Sequence, residues 1–129
     1  MLEIGVILPS VDVQRREGLD LAAAARHAEE VGLDSAWHGD HLAVGRDVLD
    51  STVALAVAAT ATRRIAIGTS VFVPALRPLV WAAKQVGSLM WVSGGRLARR
   101  AAESGAVRRR LVPLVGRTGR GGRRRPGPA

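Results

Sequence analysis

Four consecutive residues, His38-Gly39-Asp40-His41, hold the densest chemistry in this chain. A histidine can take or give a proton near neutral pH, or donate a hydrogen bond to developing negative charge. A neighbouring aspartate can accept from a ring N–H or a hydroxyl of a ligand. Gly39 lets the backbone turn sharply just before the pair. Asp-His pairs in loops also serve as caps or solvated pairs, and the residues alone leave both readings open. The other titratable groups form no catalytic constellation. There is no H-E-x-x-H run, so no zinc site is expected, and no Walker loop. No Ser-His-Asp arrangement or paired catalytic carboxylates can be drawn. His27 reads as a helix-surface residue and His38 as ambiguous. Trp37 and Trp81 read as packing residues rather than ligand stackers.

Placing these groups requires the elements around them. Leu2 to Leu8 is a short apolar run closed by Pro9, and its continuity predicts a strand buried on both faces of a parallel sheet. Glu17 to Val31 has helical periodicity, with Leu21, Ala24/Ala25, Ala28 and Val31 on one face. Gly32 follows where a left-handed cap belongs. Leu33 to Trp37 leads into a second strand that delivers the His38–His41 cluster. Asp50 or Ser51 caps a second helix running to about Thr62, with Leu55, Ala58 and Ala59 inward. Ile65 to Val73 reads as a third strand ended by Pro74. Pro78 opens a third helix, with Leu79, Ala82, Ala83, Val86 and Leu89/Met90 as its stripe. Ser93-Gly94-Gly95 stops it.

This alternation predicts an α/β fold of right-handed βα units on a parallel sheet. Ligands then sit beyond the carboxyl ends of the strands. Three segments qualify: Leu8 to Ser10, His38 to His41, and Thr69 to Pro74. Three units fill about 96 residues, fewer than half of the roughly 250 of a (β/α)8 barrel. A small doubly wound sheet also fits the periodicity, but no GxGxxG follows the first strand.

Charge divides the chain. Residues 1–96 carry 9 Arg and Lys against 10 Asp and Glu, while residues 97–129 carry 10 Arg against the single acid Glu103. The net charge of +8 therefore comes from the last quarter. The absence of cysteine and of any basic, apolar leader at Met1 points to a reducing, cytoplasmic setting. The apolar run from Val53 to Ala61 is far below the roughly 20 residues of a membrane span.

Residues 1–96 resemble the N-terminal part of the luciferase-like monooxygenase family, flavin- or deazaflavin-dependent (β/α)8 oxidoreductases. The resemblance rests on Gly5-Val6-Ile7-Leu8-Pro9, Ala28 to Trp37, Gly39-Asp40-His41-Leu42, Thr62 to Pro74, Arg77-Pro78-Leu79 and Ser93-Gly94-Gly95-Arg96, in that order. It implies a partial TIM barrel of about three βα units. It also implies hydride transfer between a coenzyme, F420 or alternatively FMN, and a small organic substrate. By the same resemblance His41 is the candidate acid/base, and Asp40 lies beside the coenzyme ring. Ser70-Val71 matches the position of a non-prolyl cis peptide behind that ring, with Val73 flanking it. Met90-Trp91 departs from the family, which has an Asp-containing pair there. Leu97 to Ala102 stands where a fourth, glycine-rich strand is expected, so strands four to eight are expected to be absent and the chain inactive alone.

Residues 97–129 therefore read separately, as a disordered or irregular tail. Arg108-Arg109-Arg110 and Gly119-Arg120-Gly121-Gly122-Arg123 fit an arm that binds nucleic acid through phosphates, the alternative function for this chain. A solvated low-complexity tail fits as well. So does translation in a shifted frame, because GC-rich codons read out of phase yield Arg, Gly, Pro and Ala. An open three-strand sheet also predicts self-association through its edges.

Overall fold

A computed structural model describes residues 3–42, 45 and 47–98. Three strands, β1 (Gly5–Ile7), β2 (Ser35–His38) and β3 (Ala66–Thr69), form one parallel sheet in the order β1-β2-β3. Val6, Ala36 and Ile67 stand in register on one face, and Ile7, Trp37 and Gly68 on the other. Helices α1 (Val11–Glu17), α2 (Leu21–Glu30), α3 (Ser51–Ala61) and α4 (Leu79–Val92) lie between and after the strands, with a 3₁₀ turn at Pro74–Leu76. The core forms where the first face meets α2 and α3: Leu21, Ala25 and Ala28 pack with Ala54, Leu55, Ala58, Ala36, Ile65 and Ile67. Small alanines on both helices let them approach the sheet closely, and Leu55 fills the remaining space.

Several sequence expectations change here. The helix expected over Glu17–Val31 starts later, at Leu21, and a separate helix that the sequence reading lacks, α1, precedes it. Gly18, at φ 62, ends α1, and the Asp20 carboxylate accepts from the Ala23 N–H to start α2. Val31 lies outside the core, 58% exposed. The strand expected from Ile65 to Val73 is shorter, Ala66–Thr69, and the Ser70–Val71 peptide that follows it is cis. The α4 stripe is also smaller than expected. Only Ala82 and Leu89 are buried, while Leu79, Val86 and Trp81 are exposed, because, among the described residues, α4 packs mainly on α3. The first strand is not covered on both faces: Gly5 and Ile7 are exposed.

Trp37 lies against that second face. Its indole Nε1 donates to Ser35 Oγ at 2.9 Å. A Cβ added at Gly5 would stand 2.7 Å from Nε1, and one added at Gly68 would stand 2.7 Å from Cε3. The two glycines thus clear a berth for the ring on both flanking strands. Gly68→Val should cost about 1–3 kcal/mol through overpacking, read as a lower urea midpoint with a shifted Trp37 emission. An unchanged midpoint would mean that the ring swings aside freely.

Glu29 closes the turn between α3 and β3. Its carboxylate accepts from the backbone N–H groups of Arg63, Arg64 and Ile65. Burial works against its charge, but these three donors prevail and hold its pKa below the ordinary glutamate value. A carboxylate with a depressed folded pKa stabilises the fold above the ordinary glutamate range, and that contribution is lost as pH falls through the folded value. Glu29→Gln should therefore lower stability at pH 7, and its deficit against wild type should shrink in acid. A deficit that stays constant down to pH 3 would refute this account.

A fourth strand position is also visible. Leu97 makes a parallel bridge to Ile67, with the Ile67 N–H donating to the Arg96 carbonyl and Ala98 N–H to the Ile67 carbonyl. The chain thus re-enters the sheet beside β3 at Leu97, where the sequence reading places the break. The expectations for the tail fall on residues 99–129, outside the described residues.

Candidate functional site

Two loops meet at the carboxyl ends of β2 and β3. The ladder continues one step past the strands, where the Ser70 N–H donates to the His38 carbonyl at 3.1 Å. Beyond it, Asp40 ties the loops together. Its Oδ2 accepts from the Val73 N–H at 2.8 Å, and its Oδ1 from the Ser51 hydroxyl at 2.8 Å. Arg77 forks onto the same carboxylate, Nη1 to Oδ2 at 2.7 Å and Nη2 to Oδ1. The Asp40 side chain is 0% exposed and that of Arg77 7% exposed. Burial works against the Asp40 charge, yet Arg77, the Val73 N–H and Ser51 together hold its pKa below the ordinary range.

Arg77 does more than neutralise Asp40. Nη1 also reaches the Val73 carbonyl at 3.3 Å. The guanidinium carbon lies 4.9 Å from the centroid of the Phe72 ring, a cation–π distance. Asp50 Oδ2 stands 3.8 Å away. Asp50 is also the α3 N-cap, accepting from the Thr52 N–H at 2.8 Å. One arginine therefore links the β2 loop, the β3 loop and the start of α3. Sequence reading quoted Arg77 only as part of the third-helix motif. No sequence signal linked it to Asp40, 37 positions earlier.

The other residues singled out in the sequence sit as follows. His41 is exposed just past Asp40. Gly39 makes room for its ring, since a Cβ there would lie 2.8 Å from His41 Nε2. Ser70 and Val71 are exposed, Val71 at 59%, and Val73 is half-buried. The cis peptide falls at Ser70–Val71, where the resemblance put it. His38 turns the other way and is buried. Its Nδ1 lies 2.9 Å from the Gly39 carbonyl, an acceptor, so Nδ1 carries the hydrogen. Desolvation pushes its pKa down, with the Gly39 carbonyl opposing. His27 is exposed, as expected, whereas Trp81 is 65% exposed rather than packed. Asp40, expected to accept directly from a ligand, has both oxygens taken by the protein. No cluster of His, Cys, Asp or Glu suited to a metal occurs among the described residues.

The described surface offers an exposed imidazole and an exposed valine on adjacent loops at the carboxyl ends of parallel strands. Parallel strands joined by helices, with these loops at the strands' carboxyl ends, define a partial α/β fold of βα units. The chain belongs to the luciferase-like monooxygenase family: the family model of that description matches residues 4–107. The match runs past Arg96 into the basic segment. The chain is similar to a 5,10-methylenetetrahydromethanopterin reductase of Methanolobus tindarius, 40% identical over 78 residues, covering 60% of this chain and 23% of the relative. Its fold matches the crystal structure of monooxygenase RslO1 from Streptomyces bottropensis with a TM-score of 0.62, at 24% identity, over 74% of this chain and 31% of that one. The chain thus spans about a quarter of the curated relative and a third of the solved structure. No described helix is long and apolar enough to cross a membrane.

Proposed function

We propose that this chain forms the ring-binding part of an oxidoreductase that moves a hydride between a deazaflavin coenzyme, F420, and a small organic substrate, with FMN as the alternative coenzyme. The observation that carries this reading is the buried Asp40, next to the exposed His41, holding the Val73 N–H of the loop that follows β3. The family membership supports a redox reaction, and the name of the reductase relative supports reduction rather than oxygenation. Reduction of a substrate related to 5,10-methylenetetrahydromethanopterin is the version that name favours.

The residues fit the ring end of such a coenzyme. Val71 and Val73 offer apolar surface for a flat ring, and the Ser70 and Val71 backbone brings polar groups to its edge. His41, with its ring open to solvent, can donate to ring oxygen or nitrogen and exchange a proton there. Asp40 contributes by holding the loop that meets the ring. When bound, a deazaflavin would supply the carbon that carries the hydride, and these side chains would orient its ring.

Titration of the full chain with F420, followed by coenzyme fluorescence, tests this. Saturable quenching that weakens in His41→Ala and Val71→Asp is the expected result. No binding of either F420 or FMN would overturn the reading for this chain. The uncovered sheet face, with Ile7 at 61% exposure, supports self-association as a companion proposal. Sedimentation should then show mass rising with concentration, and Ile7→Lys should reduce it. A monomer at all concentrations would remove this companion proposal.

A further inference from the structure

Resting on the ring-binding reading above, we infer that Arg77 is a positioning residue that sets the shape of the ligand-facing Ser70–Val73 loop. Three contacts made by one guanidinium carry this. The fork onto Asp40 fixes the carboxylate that holds the Val73 N–H. A second bond reaches the Val73 carbonyl, so both sides of that residue answer to Arg77. The guanidinium carbon also stands 4.9 Å from the ring centroid of Phe72, the residue between Val71 and Val73. None of these contacts touches the exposed surface of Val71, so Arg77 acts through the loop and not on a ligand.

The geometry demands an arginine. A planar fork grips both carboxylate oxygens and stacks on a ring at once, whereas a lysine ammonium offers one point of charge and no face. Lysine at this position keeps the charge balance with Asp40 but loses the alignment of Phe72 and Val73. Charge and orientation can therefore be separated by substitution. Asp50, 3.8 Å from Arg77, keeps its own donors at the α3 N-terminus and supplies no substitute grip.

The test compares wild type, Arg77→Lys and the neutral double variant Asp40→Asn/Arg77→Gln, which leaves no bare buried charge if Arg77→Lys folds poorly. The readouts are F420 affinity by fluorescence, the urea midpoint, and the amide proton shifts of Val71 and Val73. The expected result is a folded Arg77→Lys whose F420 dissociation constant rises about tenfold, equivalent to about 1.4 kcal/mol, with the Val73 amide displaced. A lowered urea midpoint with unchanged affinity and unchanged Val73 shift would mark Arg77 as a stabilising residue only and overturn the inference. Should wild type bind no F420, the ring-binding reading fails by itself. The Val73 amide then decides alone: displacement in both variants sustains the positioning role, and an unmoved signal overturns it.

Discussion

Arg77→Ala should lower the stability of the domain by about 3–5 kcal/mol, the cost of stripping one partner from a buried ion pair. The side chain of Asp40 is fully buried, and two of its protein partners, the Val73 N–H and the Ser51 hydroxyl, are neutral. Without the guanidinium, a carboxylate stays behind in a low-dielectric site with about half its donors gone. Domains of this size are stable by about 5–15 kcal/mol in total, so such a loss shows plainly in urea unfolding at pH 7.

The pH dependence gives the prediction a second edge. In wild type, the depressed pKa of Asp40 means that its contribution is present above the ordinary aspartate range and is lost as pH falls through the folded value. In the Arg77→Ala variant, burial acts without its main opponent and the carboxyl protonates more readily. The gap between variant and wild type should therefore narrow in acid. A gap that widens as pH falls would contradict the assignment of Asp40 as the charged partner. The double variant Asp40→Leu/Arg77→Met should lose less than Arg77→Ala, because no unpaired charge remains.

The second large effect belongs to Arg96. Its guanidinium closes the C-terminal end of α3 and the start of β3 together. Nη2 donates to the Ala59 carbonyl at 2.6 Å and to the Thr62 carbonyl at 3.2 Å. Nη1 donates to the Ile65 carbonyl at 2.7 Å and to the Thr62 hydroxyl at 3.0 Å, and Nε to the Ser93 carbonyl at 2.9 Å. The last carbonyls of a helix lack partners within it, and a cation there also meets the negative end of its dipole. Arg96→Ala leaves these acceptors short of donors at once, for a loss of roughly 3 kcal/mol, the upper range for a charged hydrogen-bonded group. Urea unfolding measures the loss, and amide exchange should quicken at Ile65 and Ile67. Arg96→Lys should recover only part of it, because one ammonium cannot reach four residues. Full recovery by lysine would show that charge at the helix end, and not the hydrogen-bond set, is what matters.

Much of the site lay open in the sequence. Strand–helix alternation placed His41 and the Ser70–Val73 segment at strand ends, because side-chain periodicity and cap residues are local properties. Asp50 as a cap and Gly32 in the left-handed region are equally local. The true start of α2 was also encoded locally, by Gly18 and by the Asp20 cap. The role of Asp40 was out of reach. Its partners Val73 and Arg77 lie 33 and 37 positions away, and no spacing rule within one chain segment links them.

The amino-acid sequence by itself determined the elements, their parallel order and the family of this protein, because each rests on residues adjacent along the chain or on motifs in series. The tertiary structure alone decided which face each element shows and what each charge does. Trp37 lies flat because glycines from β1 and β3 arrive on both sides of it. The α4 residues Leu79 and Trp81 stay exposed because, among the described residues, that helix packs mainly on α3. Asp40 is an anchor because folding brings an arginine, a serine and a backbone N–H from later βα units onto one carboxylate. Burial and electrostatic pairing are sums over neighbours in space, and those neighbours are chosen only when the chain closes on itself.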